Sequence, residues 1–342
     1  MKSVHLLTLT VLAAAALNGQ QYYSNPAPDC SALGENPVAV TNSSGTTIGY
    51  SCYASGTFVW YAAGGGQWSS QIRVAAPSTG AINVDYTFYD TSGNPFNLDT
   101  RNSAAATVTN NEVNFSLNPN QPQETDLLGG AGNGPGYSTL EVGSVYVYFL
   151  CPNSDSCLTV TPQLLYSALP STPWSLSVPI VWDGNAWPEW SAEGIDNRGT
   201  GNDAMSFVIY NDDVTATTCT VTAYDSNGNQ AATATTKTIN PLQNSGNGEG
   251  ATYGANLTGP NSLFGTTKLP SGLFKLLFDC GSVNTEVEVL QYTGASATTL
   301  QVAYDGSSNG GASSSAMARH MNPWTASRVQ EIVARHPVGG VK

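Results

Sequence analysis

Apolar and polar residues alternate with a period of two along much of this chain. In Asn83-Val84-Asp85-Tyr86-Thr87-Phe88-Tyr89, the residues Val84, Tyr86 and Phe88 fall on one face. Thr218 to Tyr224 repeats the pattern through Val221 and Ala223. Thr285 to Tyr292 sets Val287, Val289 and Gln291 against Glu286, Glu288 and Leu290. A period of two belongs to a strand covered on one side, not to a helix. Val145–Leu150 and Leu273–Phe278 are richer apolar runs, as central strands require. Turn residues punctuate these runs every 8–12 residues, which predicts antiparallel sheets in a sandwich or barrel. The one convincing helical signal is at the end, where Asn322 can cap, Pro323 suits the first turn and Pro337 stops it.

The pattern also repeats at long range. Val59-Trp60 is followed by Trp68 and Val181-Trp182 by Trp190, two blocks 122 residues apart. Tyr89–Asn94 matches Tyr224–Asn229 at an offset of 135, and Asn118-Pro119 matches Asn240-Pro241 at 122. Phe149-Leu150-Cys151 matches Phe278-Asp279-Cys280 at 129, and Tyr166 matches Tyr292 at 126. Matches in constant order point to a duplicated unit. The offsets place a surface-loop insertion in Ser191–Asp203 of the second copy and another between Asn94 and Asn118 of the first.

These motifs resemble the tandem immunoglobulin-like repeats of secreted soil-bacterial proteins: a strand of the x-Val-x-Tyr-x-Phe-Tyr-Asp type, the Gly93-Asn94-Pro95 turn, a later Asn-Pro turn and a Phe-x-Cys strand. The resemblance spans Phe58 to Tyr304, with Gln230 standing in the second copy where the first has Pro95. It implies two tandem immunoglobulin-like antiparallel β-sandwiches and no particular activity. The expected division is a signal peptide at 1–19, an N-terminal extension at 20–57 and β-sandwich copies at 58–177 and 178–304. A flexible linker and short basic helix would fill 305–342.

Composition narrows the setting. Lys2 followed by an apolar stretch ending in Ala13–Ala16 reads as an export signal, too short to span a bilayer. Only 10% of residues are charged and the net charge is −13, which leaves no basic footprint for nucleic acid. Six cysteines in an exported chain predict disulfides rather than a metal site, because no CxxC pair exists. Cys219 and Cys280 lie on the two most strand-like runs of the second copy, so they are expected to pair. Cys151 and Cys157 flank a turn sequence, which leaves Cys30 for Cys52.

Candidate chemistry is thin. The three histidines, His5, His320 and His336, lie outside the repeats, which removes the usual base for a Ser or Cys nucleophile. Asp90–Asn94 and Asp225–Asn229 look like calcium loops, yet position twelve is Arg101 in one and Thr236 in the other, so hairpin turns are expected. Asp183, Glu189, Glu193, Asp196 and Asp203 lie among tryptophans and could supply a glycosidase's two carboxylates, but they read better as solvated acids. Trp174, Trp187 and Trp190 at the junction read first as cement between the copies; alternatively, with Asn185, Asp196, Asn197 and Asp203, they form the candidate ligand site. The basic tail could dock on an anionic surface, although two Arg on one short helix weigh little. The expectation is a secreted, non-enzymatic structural or adhesion protein without cofactor or metal. Carbohydrate binding is the alternative, and a glycosidase the third. Its partner would be an extracellular polysaccharide or another surface protein.

Overall fold

Strands form where the alternation predicts them. The computed structural model describes residues 21–64, 68–102, 107–109, 111–130, 140–168, 174–183, 187–196, 203–241, 263–264, 272–293, 296–300, 302–304 and 334. The export signal, Asn185, Asn197, the linker and nearly all of the C-terminal helix lie outside them. The first group of elements is β1 (Val38–Thr41), β2 (Thr47–Gly64), β3 (Trp68–Ala75), β4 (Ile82–Asp90), β5 (Leu98–Asn102), β6 (Thr107–Thr109), β7 (Glu112–Leu117), β8 (Pro122–Gly130) and β9 (Leu140–Cys151). It continues with α1 (Ser154–Leu158), β10 (Gln163–Ala168), β11 (Trp174–Pro179) and β12 (Val181–Trp182). The second group is β13 (Glu189–Asp196), β14 (Asp203–Asn211), β15 (Thr220–Tyr224), β16 (Gln230–Thr235), β17 (Leu273–Asp279), β18 (Thr285–Thr293), β19 (Ser296–Leu300) and β20 (Val302–Tyr304).

The described ladders are antiparallel. In the first group they run β11-β10-β3-β2-β9-β4-β7-β6, with β1 and β12 on β2, and with β8 joining β3 to β5. One core joins Phe58, Val84, Tyr86 and Phe149 from β2, β4 and β9 to Ile72, Leu127 and Leu164 from β3, β8 and β10. In the second group a sheet ordered β16-β15-β17-β13-β20 shares its core with a sheet ordered β14-β18-β19. Ile195, Val221 and Phe278 meet Phe207, Ile209, Val287 and Val289 there, and the Phe207 ring stands edge-on to Phe278 at 5.2 Å. The protein is therefore all-β, with several antiparallel sheets and almost no helix among the described residues.

Three disulfides close, Cys30–Cys52, Cys151–Cys157 and Cys219–Cys280, which are the pairs expected from the sequence. Both Asp-x-x-Gly-Asn segments are turns. Asp90 Oδ1 accepts the Ser92 and Asn94 amides, and Asp225 Oδ1 accepts those of Asn227 and Asn229. The αL glycines Gly93 and Gly228, at φ 80° and 79°, complete them.

Other expectations need correction. β2 runs unbroken across residues 57 and 58, so the segment before Phe58 is continuous with the first sheet rather than a separate extension. β11 spans residues 177 and 178, and β12 pairs with β2, so the first group of strands reaches Trp182. Trp60 and Trp182 are thus not repeat equivalents: Trp182 lies opposite Gly56 on the strand that carries Trp60. Sheet order matches β2-β9-β4-β7 to β13-β17-β15-β16 instead. Cys219–Cys280 lies one step beyond the Thr220–Asp279 pair that joins β15 to β17. The supposed insertions are largely strand: β5, β6 and β7 lie between Asn94 and Asn118, and Ser191, Ala192 and Ile195 are buried in β13. The Cys151–Cys157 segment holds one helical turn, capped by the Asn153 side chain on the Ser156 amide, where the sequence suggested a plain turn.

Candidate functional site

The two groups of strands meet at a cluster of buried carboxyl groups. Gly56 makes the approach possible, because a Cβ there would collide with the Val181 carbonyl oxygen and lie 2.9 Å from the Trp182 Cα. β12 can therefore lie flush along β2, and the Asp183 amide donates to the Ser55 carbonyl at 3.0 Å. Its side chain turns inward. Ser55 Oγ and the Tyr146 hydroxyl, from β2 and β9, both donate to Asp183 Oδ2, at 2.5 and 2.6 Å.

The other two acids come from the second group. Glu286 lies opposite Tyr210 in the β14–β18 ladder, on the face of β18 shared with Glu288 and Leu290. That face does not meet water. Leu290 belongs to the core of the first group, whereas Val287 and Val289 fill the core of the second. Asp212 follows β14, with its amide on the Asn284 carbonyl, and the Asn211 side chain ties the bend to the Thr215 and Ile239 carbonyls. Asp183, Asp212 and Glu286 are 5%, 6% and 0% exposed. One carboxylate oxygen from each lies within 4.8 Å of the others.

Burial, and then the neighbouring carboxylates, push the Asp212 and Glu286 carboxyls well above their usual range. Burial also raises Glu288, to about 8. Asp183 Oδ2 is held by the two hydroxyl donors. The Tyr210 hydroxyl faces all three acids, and Thr57 Oγ1 lies beside it without reaching hydrogen-bond geometry. Both side chains are fully buried, and neither oxygen has a hydrogen-bond partner among the described residues. An orphaned buried hydroxyl costs about 1–3 kcal/mol. Chemically the arrangement offers hard oxygen donors shut away from solvent, suited to holding protons or a cation.

The residues singled out by sequence are dispersed. Trp190 is 7% exposed and packs in the second core. Its indole N–H donates to the Trp187 and Thr285 carbonyls, and Trp187 also bridges to Thr285 through its backbone. The Trp190 ring and the Trp187 backbone fasten β13 to the start of β18, and the buried Trp190 presents no face to a ligand. Asp196 pairs with Leu273 at the far end of β13, on the order of 20 Å from Trp190 at a strand's rise per residue. Trp174 pairs with Ala168 and Asp203 with Thr293, and the side chains of Trp174, Asp196 and Asp203 lie outside the described residues. Glu189 is buried, and Glu193 is exposed, 3.6 Å from the Lys275 ammonium. Of the acids read as solvated, Asp183 is thus the one drawn into the cluster. Ser55, Thr57, Tyr146, Tyr210, Asp212 and Glu286 were not anticipated. Their visible signal was two acids at alternate positions of an otherwise apolar strand, Glu286 and Glu288.

A separate open groove of about 590 Å³ lies on the second group. Glu193, Tyr224, Asp225, Leu273 and Lys275 line it. No family model, curated protein or solved structure matches the chain. Three closed disulfides and no free cysteine among the described residues fit an oxidising compartment outside the cytoplasm. No described helix is long and apolar enough to cross a membrane.

Proposed function

We propose that the chain is a secreted structural or adhesion protein, built of two immunoglobulin-like β-sandwiches held in a fixed mutual pose. The observation that carries this reading is the junction. A strand next to the second unit pairs with a central strand of the first, and a leucine of the second unit lies in the first unit's core. Such a joint suits a rigid exterior element, whereas a hinge around a substrate would need a looser interface. The lack of histidine between Gln20 and Asp305 removes the commonest general base, which favours a non-enzymatic role. Extracellular polysaccharide or another surface protein is the partner class that follows.

Carbohydrate binding is the second reading, and the open groove favours it. Tyr224 and the exposed Leu273 offer apolar surface, while Glu193 and Lys275 offer polar edges. The experiment that tests both incubates the purified mature chain with a panel of insoluble polysaccharides and isolated cell envelopes. Retention on envelopes without release of reducing sugar supports the structural reading. Retention on one polysaccharide, lost in Tyr224→Ala, favours the second. Release of reducing ends that Glu193→Gln abolishes would overturn both and install a glycosidase.

A further inference from the structure

We propose that Asp183, Asp212 and Glu286 form a binding site for one calcium-class divalent cation at the joint between the two groups of strands, with Thr57 and Tyr210 facing the ion. This holds whatever the protein's exterior binds. The donor set is entirely oxygen, which selects a hard cation over zinc or copper. The three carboxylate oxygens lie within 4.8 Å of one another. Oxygens about 2.3–2.6 Å from a calcium ion stand at most roughly 5 Å apart across it, so this spacing admits such an ion.

The hydroxyls are the second line of argument. Tyr210 and Thr57 come from different strands, each is fully buried, and each oxygen lacks a hydrogen-bond partner among the described residues. An ion between the carboxylates would give both oxygens something to face. The local charges agree. Among the described residues, those raising Asp212 and Glu286 are the neighbouring acids Asp183, Asp213 and Asp212. The site is distinct from the Asp90 and Asp225 turns, whose carboxylates are occupied by backbone amides.

The test uses the full mature chain dialysed against EGTA. Adding millimolar calcium should raise the thermal midpoint by several degrees, with an affinity on the order of 10⁻⁴–10⁻³ M, as in other extracellular modules. Terbium should bind at about one ion per chain and emit on tyrosine excitation, since Tyr146 and Tyr210 adjoin the site, and calcium should displace it. Glu286→Gln should lower calcium affinity at least tenfold and remove most of the emission. If that variant does not fold, Thr57→Ala keeps every carboxylate and should still weaken calcium several-fold. An identical midpoint in EGTA and calcium, together with no sensitised terbium emission, overturns the site and leaves the cluster closed by protons. Undiminished binding in Glu286→Gln, or in Thr57→Ala, places any ion elsewhere and overturns it equally.

Discussion

Asp183 gathers two short hydrogen bonds, from the Ser55 and Tyr146 hydroxyls. Removing one partner of a buried hydrogen bond costs about 1–3 kcal/mol, so Tyr146→Phe should destabilise the protein by that amount in urea unfolding. Tyr148 is the built-in control. It lies two residues along the same strand, is equally buried, and its hydroxyl has no hydrogen-bond partner among the described residues. Tyr148→Phe should therefore change stability by less than about 0.5 kcal/mol or raise it slightly. Equal losses in the two variants would show that the rings, not the Asp183 bonds, set the cost. The Cys219–Cys280 pair admits a similar test. It closes a separation of 61 residues, so the double Cys→Ala variant should lose about 2–5 kcal/mol.

β12 has only two residues, and it sets where Asp183 lies. Adding a methyl group at Gly56 drives the β12 backbone off β2, so Gly56→Ala should cost about 1–3 kcal/mol and loosen the Asp183 amide. Hydrogen exchange at that amide, compared between parent and variant, checks the second part. A two-residue strand carries no periodic signal, which is why Val181-Trp182 was legible only as an echo of Val59-Trp60. The longer strands were different. In β4, β15 and β18 the alternation identified the element and its faces, and Val287 and Val289 lie in the core as it implied. What the alternation could not supply was the surroundings of the polar face. Glu286 and Glu288 read like a solvated edge, because period two distinguishes two faces but not water from a second layer of protein. The same blindness affects Asn83, Asp85 and Thr87. They are buried and bonded to one another or to Asn114 on the face of β4 opposite Phe88. Local turn chemistry was legible at Asp90 and Asp225 because the residues that make each turn are adjacent in sequence. The carboxyl cluster was not, since its members lie 29 and 74 residues apart, at Asp183, Asp212 and Glu286, and only folding brings them together.

The joint between the two units determines how the molecule unfolds as a whole. Among the described residues its apolar component includes Leu290, carried by β18 of the second unit yet packed into the core of the first. Its polar component is Asp183 with Ser55 and Tyr146, backed by the β12–β2 pairing. Interfaces this intimate couple domains, whereas sparse ones leave them to melt separately. The parent should accordingly show one calorimetric transition, with fluorescence and far-UV circular dichroism tracing the same midpoint. Leu290→Ala removes buried methyl groups from a core that belongs to the other unit, and should cost about 2–5 kcal/mol. The loss should fall mainly on the coupling, because the Val287 and Val289 face of β18 is untouched. The variant should then melt in two steps, the second unit retaining the Cys219–Cys280 constraint. A lowered but still single transition would mean that the polar contacts at Asp183 couple the units by themselves. Adding Asp183→Asn to Leu290→Ala should in that case separate the two steps.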